Sequence, residues 1–96
     1  MRNDHFEWDD AKALQNIVRH QVSFETATRA FDDLFGVTVA DLREDYGEER
    51  YNLLGMVGDY LLHVTFTPRG HRIRLISVRM AEPVERRRYH EYNSQA

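Results

Sequence analysis

The feature that most constrains this chain is the spacing of its turn signals after residue 50. Gly58-Asp59 and Pro68-Arg69-Gly70 separate three runs rich in apolar, β-branched and aromatic residues, at about 50–57, 60–67 and 71–78. Connections this short join antiparallel neighbours, because a parallel return needs a crossover of about a dozen residues. A meander follows. Upstream, FGVTVAD reads as one further strand, and the acidic segment 41–49 as a polar hairpin loop.

The remaining segments carry helical periodicity. Ala11, Leu14, Ile17, Val18 and Val22 mark an apolar stripe from residue 9 to about 21, with Asp9 or Asp10 available as the cap. Ser23 caps a second helix whose stripe is Phe24, Ala27, Thr28 and Phe31, with Val22 placed to staple onto Ala27. Pro83 suits the first turn of a last helix, in which Val84, Arg88, Tyr89 and Tyr92 keep the spacing. The predicted order is ααββββα. This is an α+β fold in which two amino-terminal helices pack on a four-stranded antiparallel sheet, with a carboxy-terminal helix. One sheet face is thereby left for function or a partner.

A length of 96 residues with 42% apolar content suits one core, so residues 1–96 are expected to form a single domain. The chain has no cysteine, which excludes disulfides, thiolate zinc sites and cysteine nucleophiles. No apolar run reaches the roughly 20 residues that span a bilayer, and the acidic start MRNDHFEWDD is unlike a signal peptide, so a soluble cytoplasmic protein is expected. His63 and His71 lie on successive strands with no third ligand at convincing spacing. They read as sheet-surface residues, and neither a metal nor a cofactor is called for. Trp8, just before the first helix, reads as a core residue.

The net charge of −3 hides an asymmetry. Residues 1–62 hold six basic against thirteen acidic side chains, and residues 63–96 hold seven arginines against three glutamates. Twelve of the thirteen basic residues are arginine, whose planar fork suits phosphate and carboxylate alike. A protein that grips long duplex DNA unaided is usually basic overall, so this local patch disfavours a free-standing DNA-binding regulator.

The segments FEWDDAKALQNIVRHQVSFETATRAFDD, GEERYNLLG and RIRLISVRMAEPVERRRYHEY, in that order, resemble the BrnT family of type II toxin-antitoxin ribonucleases. The resemblance runs from Phe6 to Tyr89 and implies a RelE-like fold and an mRNA-cleaving toxin that inhibits translation. It also implies a BrnA-like antitoxin with a ribbon-helix-helix part, assembled with the toxin as a heterotetramer that reaches promoter DNA only through the antitoxin. Where the family reads K-H-G, this chain has Arg19, His20 and Gln21, so a lysine role passes to arginine and the helix-stopping glycine is gone. Where it reads S-A-R-K-A, the chain has Ser77, Val78, Arg79, Met80 and Ala81.

Metal-free RNA cleavage needs a base for the 2'-hydroxyl proton, donors for the developing phosphate charge and an acid for the leaving oxygen. Arg69, in the turn before the last strand, and Arg79, closing that strand, are the candidate phosphate clamps. The alternative is that both make ordinary ion pairs. Arg19 and His20 are candidate assistants, His20 as acid or base or simply as the end of a helix. Arg74 and Arg50 are equally readable as RNA contacts or as structural partners of nearby acids, with Glu48 or Glu49 the natural partners for Arg74. Strict alternation puts Arg74 on the face opposite Arg79 unless a bulge intervenes. A competing reading keeps the toxin fold only as a module that pairs with a DNA-binding antitoxin and modulates promoter binding.

Overall fold

The computed structural model describes residues 1–94. In chain order the elements are β1 (Phe6–Glu7), α1 (Asp10–His20), α2 (Phe24–Ala30), β2 (Val37–Ala40), β3 (Tyr51–Val57), β4 (Tyr60–Arg69), β5 (Arg72–Met80) and α3 (Pro83–Asn93). The strands lie in the order β1-β5-β4-β3-β2, and β2 to β5 pair antiparallel as the turn signals require. The expectation of four antiparallel strands needs one correction. A fifth strand, β1, runs parallel to β5, with Phe6 opposite Ile73 and Glu7 opposite Arg74. Two residues are too few to show a period of two, and what makes them a strand is the edge of β5 beside them. The Glu7–Arg74 ion pair, 2.8 Å long, ties the two strands together.

Both amino-terminal helices start where their caps direct. The Asp9 carboxylate accepts from the Lys12 N–H and the Ser23 hydroxyl from the Thr26 N–H, each at 3.0 Å. α1, however, does not bury the stripe its periodicity suggests. Ala13 and Asn16 are buried, whereas Leu14 and Val18 are 66% and 80% exposed. The reason is polar. Beyond β1 the outer edge of β5 has no strand beside it, and the Asn16 side chain takes that place. Its amide donates to the Val78 carbonyl (2.8 Å) and its oxygen accepts from the Val78 N–H (3.1 Å). A further bond to the Val22 carbonyl, at 3.0 Å, fixes the chain leaving the helix. A buried edge with unmade hydrogen bonds is more costly than an exposed leucine, so the helix turns Asn16 inward.

The main core lies between α1, α2 and one sheet face: Trp8, Val22, Phe24 and Ala27 pack against Leu53, Leu62, Val64, Leu75 and Val78. Trp8 is thus a core residue, as read from sequence. Gly55 permits the approach of α2 to β3, since a Cβ there would sit 2.6 Å from the Ala30 carbonyl oxygen. On the opposite face α3 covers a smaller cluster of Leu54, Leu61, Ala81 and Tyr89. Tyr89 also donates its hydroxyl proton to Asp33 (2.6 Å), which accepts from the Met56 N–H at 2.8 Å and the Phe35 N–H at 2.9 Å. Burial opposes ionisation of Asp33, but these bonds hold its carboxyl below the usual carboxylate range. Burial and the Asp33 charge push the Tyr89 hydroxyl up to about 12. Among the described residues no helix is long and apolar enough to cross a membrane.

Three outcomes follow from these contacts. Asn16→Ala leaves both Val78 groups unpaired and is expected to lower unfolding free energy by about 2–3 kcal/mol in urea titrations. Gln21 ends α1 at φ 57°, in the left-handed region. Gln21→Gly is therefore expected to raise stability by about 1 kcal/mol. Tyr89→Phe should cost about 2 kcal/mol at pH 7, because it removes a hydrogen bond to a charged acceptor. Because the Asp33 pKa is lowered on folding, its contribution is fully present above the unfolded value of about 3.9 and is lost as pH falls through the folded one. The difference between Tyr89→Phe and the parent protein, measured by thermal unfolding, should shrink across that acid window.

Candidate functional site

β5 carries one residue more than β4 opposite it. Ser77 pairs with Thr65 but Leu75 pairs with Phe66, so Ile76 is the extra residue of a β-bulge. The consequence is a change of face. Arg79, Ser77 and Arg74 pair with His63, Thr65 and Thr67, which alternate along β4 and so share one face. The bulge therefore overturns strict alternation and sets Arg74 on the same face as Arg79. This is the face that α3 covers only in part.

The arginines of this face are already engaged. Arg79 holds Glu85 of α3 with two parallel bonds of 2.8 and 2.9 Å. Glu85 also accepts from the Glu82 N–H at 2.8 Å, which fixes the first turn of α3. Burial works against the Glu85 charge, yet the Arg79 and Glu82 bonds prevail and bring its pKa down to about 2. His63 sits beside both, with Nε2 3.6 Å from Glu85. Burial first, and the Arg79 charge second, press its pKa below the ordinary histidine value, so it is neutral at pH 7.

Arg74 pairs with Glu7 rather than with the expected Glu48 or Glu49. Glu48 is instead shared by Arg50 at 3.2 Å and Arg69 at 3.6 Å, and Arg50 also lies 4.0 Å over the Tyr46 ring. In the loop after β2, Arg43 clamps the buried carboxylate of Asp41 at 2.7 Å. That bond outweighs burial and drives the Asp41 pKa far below the carboxylate range.

The sequence-predicted residues therefore fall into four places, with Arg74 held by Glu7 at the β1 edge. Arg69 meets Arg50 at one end of the sheet, while Arg79 meets His63 and Glu85 toward the other. Arg69 and His63, the partner of Arg79, are six residues apart on β4, about 20 Å along the strand, so the two clamps do not converge. Arg19 and His20 do come together. With Lys12, Gln15, Asn16, Ile76 and Ser77 they line a pocket of about 210 Å³ between α1 and β5. Ser77 joins this pocket to the sheet face that carries Arg79.

Sequence reasoning missed His63 and Glu85 beside Arg79. The bulge sets the first of these contacts, and the docking of α3 sets the second. A glutamate in the first turn of a helix that follows Arg79 was a visible signal for the latter. In chemical terms, guanidinium, ammonium and imidazole groups around a hydroxyl and amides suit an oxyanion. Among the described residues there is no group of three or more histidines and carboxylates arranged to hold a metal ion.

No match was found among curated proteins. A family model described as the ribonuclease toxin BrnT of type II toxin-antitoxin systems matches residues 8–85. The matched stretch runs from the core residue Trp8, through both cationic clusters and the bulged strand, to Glu85 beneath Arg79. By that match over most of its length, the chain belongs to the BrnT family of type II toxin-antitoxin ribonuclease toxins.

Proposed function

We propose that this protein is a metal-independent endoribonuclease of RelE-like fold that cleaves mRNA in the cytoplasm and so inhibits translation. Its antitoxin would be a BrnA-like ribbon-helix-helix protein, bound as a heterotetramer that reaches promoter DNA only through the antitoxin. The observation that carries the reading is the cation-lined pocket of Arg19 and His20 at the edge of β5, open through Ser77 to the face of Arg79.

In this reading RNA is cut by attack of its own 2'-hydroxyl on the neighbouring phosphorus. The 2'-oxygen forms a bond to phosphorus as the 5'-oxygen of the next nucleotide leaves, giving a cyclic phosphate. Arg19 binds the phosphate, His20 accepts the 2'-hydroxyl proton, and solvent water protonates the departing 5'-oxygen. Arg79 meets the charge of the transition state by exchanging its carboxylate partner for phosphate oxygens. Arg69, Arg50 and Arg74 touch the RNA on either side.

A second reading, a binding module that pairs with a DNA-binding antitoxin and modulates promoter binding, is favoured by one observation. Arg50, Arg69, Arg74 and Arg79 are each within ion-pair distance of a carboxylate of the same chain. The two readings separate in one assay. Purified protein is expected to cleave single-stranded RNA in excess EDTA, and Arg79→Ala is expected to reduce the rate by about 10²–10³-fold while leaving antitoxin binding intact. Absence of cleavage, together with unimpaired growth on expression without antitoxin, would sink the enzyme reading and leave the module.

A further inference from the structure

The distribution of free and neutralised cations points to where an RNA strand enters. Arg50, Arg69, Arg74 and Arg79 hold carboxylates, and an incoming phosphate must compete there with a partner already in place, while Arg72 donates to the Asn3 carbonyl at 2.7 Å. α1 differs. Among the described residues, Lys12, Arg19 and His20 take part in no ion pair, although all three line one pocket. Lys12, Gln15 and Arg19 follow one another at spacings of three and four, which places them in a row on one side of the helix. That row is about 10 Å long. It owes its direction to Asn16, whose bonds to Val78 hold this side of the helix along the edge of β5, next to the Ser77 hydroxyl.

We infer that the row Lys12–Gln15–Arg19, with His20 and Ser77, is a binding track for the phosphodiester backbone of single-stranded RNA, leading over the edge of β5 toward Arg79. Lys12 and Arg19 contact successive phosphates, while Gln15 and Ser77 donate to sugar and phosphate oxygens. The track is expected to bind chiefly through the backbone, since Lys12 and Arg19 meet phosphates whatever the base sequence. Arg79 then acts after the strand has been seated, when a phosphate oxygen replaces Glu85. The inference rests on the ribonuclease reading for the identity of the polyanion, but it concerns binding and is measured without turnover.

The test uses a fluorescein-labelled 2'-O-methyl decanucleotide, which lacks the attacking hydroxyl. Its binding to the full chain is followed by anisotropy over a range of salt concentrations. Lys12→Gln/Arg19→Gln is expected to weaken binding about tenfold or more and to lower the slope of log K against log salt by about 1.4. Arg86→Gln/Arg87→Gln, which removes the same charge from the exposed side of α3, is the control and should stay within about twofold of the parent. Equal losses in the two variants, or no loss in the first, would overturn the track. If the α1 variant binds the oligonucleotide like the parent but is no longer neutralised by its antitoxin, the row is a surface for an acidic protein instead. Cleavage of the unmodified oligonucleotide by the parent protein is recorded in parallel. Failure there removes the ribonuclease reading and leaves the binding comparison interpretable. All four substituted side chains are exposed, so circular dichroism and thermal unfolding should match the parent.

Discussion

The architecture hinges on how the outer edge of β5 is closed. β1 covers only Ile73 and Arg74, and a strand edge left open beyond them presents unpaired backbone groups to solvent or to another chain. Asn16 closes it with a side-chain amide that matches the donor and acceptor of Val78. This contact sets the rotation of α1, and the rotation has two results. Leu14 and Val18 are turned outward, and the polar row containing Lys12 and Arg19 is laid along β5. One pair of hydrogen bonds therefore decides both what the helix hides and what it displays.

Electrostatic pairing organises the other side of the molecule. Part of the acidic excess of the first two thirds of the chain is taken up in ion pairs. Glu7 and Glu48 each hold an arginine, and Glu85 from α3 holds Arg79. These contacts join elements that the meander alone leaves separate: β1 to β5, the loop before β3 to the far end of β4, and α3 to the end of β5. The same bonds lower the anion affinity of the arginines they engage. The structural and chemical uses of those arginines are thus in competition, whereas among the described residues Lys12 and Arg19 of α1 meet no carboxylate.

Much of the scaffold was legible in the residues. Gly58-Asp59 and Pro68-Arg69-Gly70 announced the meander, Asp9 and Ser23 the helix starts, and Pro83 the last helix, because turns and caps are local events decided by the residues that make them. The parallel strand was not legible, since Phe6 and Glu7 carry no periodicity of their own. The face of α1 was misread because apolar spacing ranks burial by side chain and takes no account of a sheet edge that needs a hydrogen-bonding partner.

The site divides in the same way. Sequence alone identified arginine as the basic residue of this chain, placed Arg69, Arg74 and Arg79 around the last strand, and linked Arg19 and His20 to the end of α1. It also carried the resemblance that the family match bears out. Tertiary structure decided which of these residues meet. The extra residue Ile76 moved Arg74 to the face of Arg79, α3 brought Glu85 beneath Arg79, and Asn16 brought the α1 cations beside Ser77. The physical reason is range. Caps and turns act over a few residues, whereas the facing of a strand and the partner of a charge depend on chain segments that only folding brings together.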